Sequence, residues 1–159
     1  MSTTLTLDTI KTEQTRLAEM IAAFEAQASI QTSIHFPETL IELRQGEHCA
    51  GLIMGKDGEP SYYLILLPGE VEKVSWSKAN EWAAKQGAEL VAELPTRREQ
   101  SLLYANLKEH FQPAWYWSCE QHASHSDHAW YQDFDYGGQG ISSKSYEGRA
   151  RAVRRLIIE

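Results

Sequence analysis

The sequence predicts an α+β domain in which two helices pack on one twisted, mostly antiparallel β-sheet, with a further helix at the N terminus. Three patterns along the chain indicate this class: a β-hairpin, two helices with their own start and stop signals, and aromatic strands near the C terminus. The chain has 159 residues, of which 42% are hydrophobic. That is enough to bury the core of about one domain. We expect residues 1–45 to form a helical segment and connector, and residues 46–159 to form the domain.

An amphipathic helix is predicted at the N terminus, because apolar residues recur there at helical spacing. Asp8 or Thr9 has a side chain that can cap its first turn. The apolar stripe consists of Ile10, Leu17, Met20, Ile21, Phe24 and Ala28. We expect this stripe to pack within its own protomer, as the apolar face of a surface helix does. The alternative is that the stripe is a coiled-coil or oligomer contact.

A β-hairpin and a helix follow. Residues 56–60 are rich in turn formers and separate two apolar runs, residues 50–54 and 61–67, which predicts a hairpin. Ser75 then stands where it can cap a helix, and Gly87 occupies the position at which a left-handed glycine often ends one. The inner face of this helix comprises Trp76, Ala79, Trp82 and Ala83.

A second helix is predicted from a capping box. Thr96 and Glu99 have the spacing at which hydroxyl and carboxylate satisfy free amides of the first turn reciprocally, and Pro113 prevents the helix from continuing. Its buried stripe is Leu102, Leu103, Leu107 and Phe111. Three strand-like segments follow, at residues 115–118, 129–134 and 150–158. We expect the sheet to contain Trp117, Trp130 and Val153.

Five short motifs occur in a fixed order along the chain. They are Trp76-x-x-Ala79, Leu94-Pro95-Thr96-Arg97-x-Glu99, Trp115-Tyr116-Trp117-Ser118, Ala129-Trp130 with Phe134, and Arg151-Ala152-Val153-Arg154. From about Gly46 onwards the chain resembles a bacterial and phage family of uncharacterised function within the C-type-lectin-like superfamily. That superfamily also holds retroelement-diversified phage tropism determinants and formylglycine-generating enzymes. The resemblance implies a C-type-lectin-like fold and a phage or prophage origin, but the fold hosts many functions.

Charge and hydropathy argue against several classes of function. The net charge of −7 and the pI near 5.4 disfavour nucleic acid as partner, because phosphate binding needs clustered Lys and Arg. The arginines of residues 149–155 do not change this, since neighbours on a strand point to opposite faces. No apolar run approaches the roughly 18–20 residues of a membrane span, and the N terminus lacks a secretory signal pattern. We expect no membrane association and a location in the cytoplasm, that of the host for a phage protein, or in a virion.

The most suggestive metal-like pattern lies in a polar loop. His122, His125 and His128 are three residues apart and, with Asp127, offer donors that suit zinc. The serines between them favour an exposed loop, so we expect no metal and no other cofactor. Calcium-dependent sugar binding is also disfavoured, because the Glu-Pro-Asn and Gln-Pro-Asp tripeptides of such lectins are absent.

Enzymatic activity is not indicated. Cys49 and Cys119 fall in different predicted elements, whereas the formylglycine-generating branch uses paired reactive cysteines. The sequence also lacks a nucleophile elbow and a phosphate-binding glycine loop. We therefore expect that the protein is not an enzyme.

The positive prediction concerns residues 120–146, whose polar and aromatic content resembles a paratope. Tyr and His give contact area at low entropic cost, while Ser, Gly and Asp adapt their hydrogen bonding. In related tropism determinants the corresponding region contacts the receptor. The candidate ligand-binding residues are Gln121, His122, His125, Asp127, His128, Tyr131, Asp133, Tyr136, Gln139, Lys144 and Tyr146.

These residues predict a non-enzymatic binding module, phage- or prophage-encoded, that engages a host or phage protein, or a glycan, through its C-terminal loop-rich face. A homo-oligomer through the N-terminal helix is compatible with this. One alternative is a small acidic phage protein that inhibits a host defence or nucleic-acid enzyme by binding to it, which the negative charge fits equally well. Ordinary solvent-exposed loops would have the same composition.

Overall fold

The computed structural model describes residues 6–28, 38–87 and 89–158. The chain divides into two units between Leu40 and Ile41. Within the described residues the helices are α1 (Leu7–Ala28), α2 (Trp76–Gln86) and α3 (Arg97–Leu107), and Lys108–His110 form a 3₁₀ turn. The strands are β1 (His48–Ile53), β2 (Tyr62–Leu66), β3 (Val71–Val74), β4 (Trp115–Gln121), β5 (His128–Asp133), β6 (Gln139–Ser143), β7 (Gly148–Ala150) and β8 (Val153–Ile157). The α+β class is therefore confirmed.

Helix α1 is the helix that the structure describes in the first unit. Its capping residue is Thr6, because the Thr6 hydroxyl accepts the N–H of Thr9 at 3.3 Å and the Thr6 N–H donates to the Thr9 hydroxyl at 3.0 Å. The predicted caps, Asp8 and Thr9, thus lie inside the helix. Every described side chain of α1 is exposed, and the expectation that Ala28 packs lies outside the described side chains.

The second unit contains two β-sheets. Strands β1, β2 and β8 form a three-stranded antiparallel sheet in that order, which confirms the predicted hairpin. The other five strands form a sheet in the order β3–β7–β4–β5–β6, antiparallel except where β4 pairs with β7. Among the described helices, none combines the length and the apolar content needed to cross a bilayer.

The prediction of a single sheet is wrong. Trp117 and Trp130 lie in the five-stranded sheet, whereas Val153 lies in the three-stranded one. The strand breaks between β7 and β8, because β7 pairs with β3 and β4 whereas β8 pairs with β2. At the break Arg151 donates to the carbonyl oxygen of Leu67 at 2.8 Å. The chain crosses from one sheet to the other there, and a single bridge between Glu93 and Val153 is the pairing that β8 makes on its other side.

Helix α2 packs as its sequence predicts, with Ala79 and Ala83 fully buried. Its end differs from the prediction, because Gly87 has φ −73° and is right-handed. A Cβ at Gly87 would lie 1.9 Å from the carbonyl oxygen of Leu90. Glycine is therefore required at this position because the backbone of Leu90 lies too close for a Cβ atom. A positive φ is not the reason.

Helix α3 begins with the predicted capping box. The Glu99 N–H donates to the Thr96 hydroxyl at 3.2 Å, and the Thr96 N–H donates to the Glu99 carboxylate at 2.8 Å. Leu103 and Leu107 are buried as expected. Glu99 is fully buried as well, which the periodicity alone does not indicate.

Two buried clusters form the core of the second unit. The first lies between α3 and both sheets, and includes Leu64, Leu103, Tyr116, Phe134 and Val153. The second lies beside α2, and includes Ala79, Leu94, Trp117, Ala129 and Ala150. Because β4 contributes alternate residues to both clusters, it is the strand around which the two packed layers are arranged.

Candidate binding surface

The candidate residues divide between the two ends of the five-stranded sheet. Antiparallel pairing brings the C-terminal ends of β4 and β6 beside the N-terminal end of β5, with Gln121 opposite Ala129 and His128 opposite Ser143. We call this the histidine end, and it comprises Gln121, His122, His125, Asp127, His128, Lys144 and Tyr146. The turn between β5 and β6 lies at the other end, which we call the turn end, and it contains Asp133, Tyr136 and Gln139.

The two ends lie apart along the sheet, and Arg97, which bonds to Gln139 and covers the Trp130 ring, lies between them. Strand β5 has six residues, so its ends are roughly 17 Å apart at about 3.4 Å per residue. Tyr131 lies within the strand between them. The candidate residues that the sequence groups together are therefore separated into two groups by the register of the sheet.

A row of planar side chains crosses the histidine end. The ring centroids of His122 and His125 are 5.0 Å apart, and those of His125 and His128 are 5.8 Å apart. The row continues from His122 to the Trp130 ring at 5.3 Å, and the guanidinium of Arg97 lies 3.5 Å above that ring. We call these five residues the histidine row.

The loop between β4 and β5, which we call the histidine loop, begins at His122, and the His122 side chain closes it. His122 Nδ1 accepts the N–H groups of Ser124 and His125, both at 3.2 Å, and the His122 N–H donates to the carbonyl oxygen of His128 at 3.0 Å. Because Nδ1 is an acceptor in both bonds, the ring proton belongs on Nε2. One imidazole thus fixes the loop and leaves its other nitrogen as a donor.

The remaining histidine loop contacts are few. His128 Nδ1 lies 2.9 Å from the carboxylate of Asp127, and this hydrogen bond holds the pKa of Asp127 below its usual value. No group of three His, Cys, Asp or Glu side chains in the described part of the chain is arranged to hold a metal ion. The His125 ring makes no hydrogen bond to any described residue and is exposed.

Lys144 and Tyr146 complete this end. The Lys144 ammonium donates to the Gln121 side chain at 2.5 Å and lies 4.4 Å from the centroid of the Trp76 ring. The indole N–H of Trp76 donates to the carbonyl oxygen of Ser118 at 2.8 Å, which holds that ring beside β4. Tyr146 lies in the turn after β6 and is 65% exposed.

The polar residues of the turn end are used within the fold. The Asp133 carboxylate accepts the N–H of Asp135 at 2.7 Å and that of Tyr136 at 3.3 Å, so it closes the turn. The Gln139 amide donates to the carbonyl oxygen of Arg97 at 2.7 Å and accepts from its Nε at 3.0 Å. Tyr136, by contrast, is 87% exposed.

Tyr131 contributes to the core. Its ring is half-buried, packs against the cluster beside α2 and lies 5.0 Å from the Trp115 ring. A Cβ on Gly140 of the neighbouring strand would come within 2.5 Å of the Tyr131 hydroxyl oxygen. Of the three tyrosines named as candidates, Tyr136 and Tyr146 are therefore exposed and Tyr131 is a packing residue.

Arg97 and Trp130 are partly exposed residues that do not belong to the candidate residues indicated by the sequence. Trp130 is half-buried, and it points away from the face of β5 on which Ala129 is buried. Alternation along β5 could not have identified it as a surface residue, because Gln132, on the same face of the strand, is buried. Nothing local to Arg97 indicates that it would meet Trp130.

The arginines near the C terminus are all paired internally. Arg154 donates to the buried Glu47 carboxylate at 2.7 and 2.9 Å, and Arg155 donates to that of Glu99 at 2.6 and 2.9 Å. Arg149 forms an ion pair with Glu72 at 2.8 Å. Arg151 binds carbonyl oxygens, so the arginines of residues 149–155 hold the fold and leave no free basic cluster in that segment.

The two cysteines lie in different sheets, Cys49 on β1 and Cys119 on β4. Burial raises the pKa of the Cys119 thiol to about 11, with help from the nearby Glu99 carboxylate. The reactive thiolate form is therefore scarce at neutral pH. This argues against thiol chemistry at Cys119.

Comparison of the sequence with known protein families and with characterised proteins found no match. The resemblance to the C-type-lectin-like superfamily therefore stays a prediction. The function has to be argued from the histidine end itself.

Proposed function

We propose that this protein is a non-enzymatic binding module that engages a protein or glycan partner through its histidine end. The observation that supports this most directly is the exposure of two large side chains, His125 and Tyr146, at the histidine end. Neither side chain makes a hydrogen bond to a described residue. Their neighbours His122 and Lys144 are held by internal hydrogen bonds, so the two exposed side chains stand on an ordered base.

The chemistry of the histidine row fits this role. Its rings and guanidinium offer flat faces, which can stack on aromatic side chains or on the apolar face of a sugar. The Trp130 ring is already ordered beneath Arg97, so little side-chain entropy is lost when a partner binds there. Exposed polar groups beside the row, Asp127 and Gln121, supply hydrogen bonds that give orientation.

The wider proposal rests on the sequence resemblance described above: the protein is a C-type-lectin-like module of phage or prophage origin. A second candidate function is favoured by the net charge of −7. In it the protein inhibits a host defence or nucleic-acid enzyme through protein–protein binding. The two candidates differ in what they bind, and the same experiment distinguishes them.

The test is to immobilise the full chain and measure binding to a glycan array and to lysate proteins from candidate hosts, identified by mass spectrometry. Each ligand found is then titrated against Tyr146→Ala, His125→Ala and Tyr136→Ala. The control is Tyr136, an exposed tyrosine at the other end of the sheet.

We expect the losses of affinity in Tyr146→Ala and His125→Ala to combine to about 30-fold or more. That factor corresponds to the loss of an interface hot spot of about 2 kcal/mol. Tyr136→Ala should leave affinity unchanged. Equal loss in all three variants, or loss in Tyr136→Ala alone, would contradict binding at the histidine end. A ligand that is a host nuclease or defence enzyme, inhibited on binding, would favour the second candidate.

A further inference from the structure

Helix α1 carries a heptad repeat. Apolar residues occupy five of the six a and d positions of a heptad written abcdefg that begins at Leu7, and Met20 lies beside them at a g position. The a positions are Leu7, Gln14 and Ile21, and the d positions are Ile10, Leu17 and Phe24. The five apolar members of this seam are 47–72% exposed.

A helix of this kind gains stability from a partner. It has 22 residues, its described side chains are all exposed, and most helical stability in proteins comes from packing of the apolar face. A seam of a and d positions has the period that wraps two helices around each other, and Met20 at g widens its apolar edge. The occupant that fits best is a second helix with the same period.

We propose that α1 pairs with α1 of a second copy as a parallel, two-stranded coiled coil. Gln14 decides the orientation. In a parallel pair the two Gln14 side chains occupy one layer and can hydrogen-bond to each other, whereas in an antiparallel pair each would face the apolar Leu17. A single polar a position of this kind fixes register and oligomer state.

The flanking residues agree with the parallel arrangement. Its g-to-e′ contacts join Glu13 to Ala18 and Met20 to Glu25, so no like charges meet. Arg16 lies on the outer face, 3.9 Å from Glu13 within the same helix. Ile21 at a with Leu17 at d is the combination that favours two strands, and the reverse order at Leu7 and Ile10 leaves the choice to Gln14.

Pairing of α1 would give each assembly two histidine ends, which raises apparent affinity for a multivalent partner. This consequence rests on the proposed function, but the pairing itself does not. The experiment therefore measures mass and orientation, with no ligand present.

The first measurement is sedimentation equilibrium of the full chain over a wide concentration range. We expect twice the 18.1 kDa of one chain. Leu17→Glu with Ile21→Glu, which places charges in the seam, should give the mass of one chain. The matched control, Thr12→Glu with Ala22→Glu, adds the same charges on the outer face and should keep the double mass. All five tryptophans lie outside α1, so their fluorescence reports folding of the second unit in each variant.

The second measurement tests orientation. Gln14→Cys should form a covalent dimer with oxidised glutathione, because the two position-14 residues face each other in a parallel pair, and Thr12→Cys on the outer face should not. The unaltered chain, with its half-buried Cys49 and Cys119, is treated alongside. A wild-type chain that stays at single mass, seam variants that keep double mass, or cross-linking at position 12 but not 14 would each overturn the proposal.

Discussion

The histidine end and the C-terminal arginine segment, residues 149–155, are both rich in polar side chains, yet they use them in opposite ways. In the arginine segment Arg154 and Arg155 each meet a buried carboxylate, those of Glu47 and Glu99. At the histidine end His122, His128 and Lys144 make side-chain hydrogen bonds to exposed or partly exposed groups, and His125 stays exposed. Composition alone does not separate these cases. What separates them is whether the fold buries a partner nearby, because a buried charge must be paired and an exposed one need not be.

The largest expected effect concerns the core on which both regions rest. Trp117 is fully buried, and its indole N–H donates to the carbonyl oxygen of Val74 at 3.1 Å. Trp117→Ala should lower the free energy of unfolding by about 3–5 kcal/mol, a large share of the total for a domain of this size. Urea denaturation followed by circular dichroism measures this. A variant as stable as wild type would mean that β4 does not organise the core.

The next prediction tests the arginine segment. Glu99→Gln keeps the shape of the side chain but removes the charge that Arg155 and Tyr62 face, and Tyr62 donates to this carboxylate at 2.7 Å. We expect a loss of about 2–3 kcal/mol, as for a buried hydrogen bond to a charged group. Glu81→Gln on the exposed face of α2 is the control and should change stability by less than about 0.5 kcal/mol. Equal effects of the two changes would show that the Glu99 cluster is unimportant.

Acid should weaken the same cluster. Burial alone would raise the pKa of Glu99, but hydrogen bonds from Arg155, the Thr96 N–H and Tyr62 outweigh it, and the pKa lies below the usual 4.5. The pKa of Glu47 is also lowered, chiefly by Arg154. A carboxylate with a depressed folded pKa adds stability above the unfolded pKa, and this is lost as pH falls through the folded pKa. Unfolding free energy should therefore be level near pH 6 and decline below about pH 4.5, and the decline should be smaller in Glu99→Gln.

The smallest effects distinguish the three candidate tyrosines. Tyr131→Ala should cost about 1–2 kcal/mol, because the ring packs against Trp115 and the core. Tyr136→Ala and Tyr146→Ala should each change stability by less than about 0.5 kcal/mol, because both side chains are exposed. Thermal melting of the three variants measures this ranking. If Tyr146→Ala has a melting temperature as low as that of Tyr131→Ala, then Tyr146 contributes to the stability of the fold and is not a free surface residue of the histidine end.

Local signals predict the local structure of this chain well. The capping box of Thr96 and Glu99 and the hairpin turn depend on residues a few positions apart, and both are confirmed. The division into two sheets could not be predicted, because it depends on the pairing of β8 with β2, which is far away in sequence. Strand β3 was missed for a similar reason: its sequence, VEKV, is short and half polar, and it forms by pairing with β7.

The candidate site was predicted in part. The sequence indicates the residues of the histidine loop, but sheet register decides that Tyr136 lies at the opposite end from Tyr146. The contact of Arg97 with Trp130 joins a helix start to the middle of a strand. Such a contact follows from packing of whole elements, and no short motif contains it.

Arg151 lies between β7 and β8, where the chain passes from the five-stranded sheet to the three-stranded one. Its guanidinium donates to the carbonyl oxygens of Leu67, Gly69 and His110, so one side chain replaces water for three peptide groups in two separate loops. Lysine carries an equal charge but lacks the planar fork that reaches all three in fixed directions. Arg151 and the small, buried residue Ala152 therefore mark the point at which the chain leaves one sheet and enters the next.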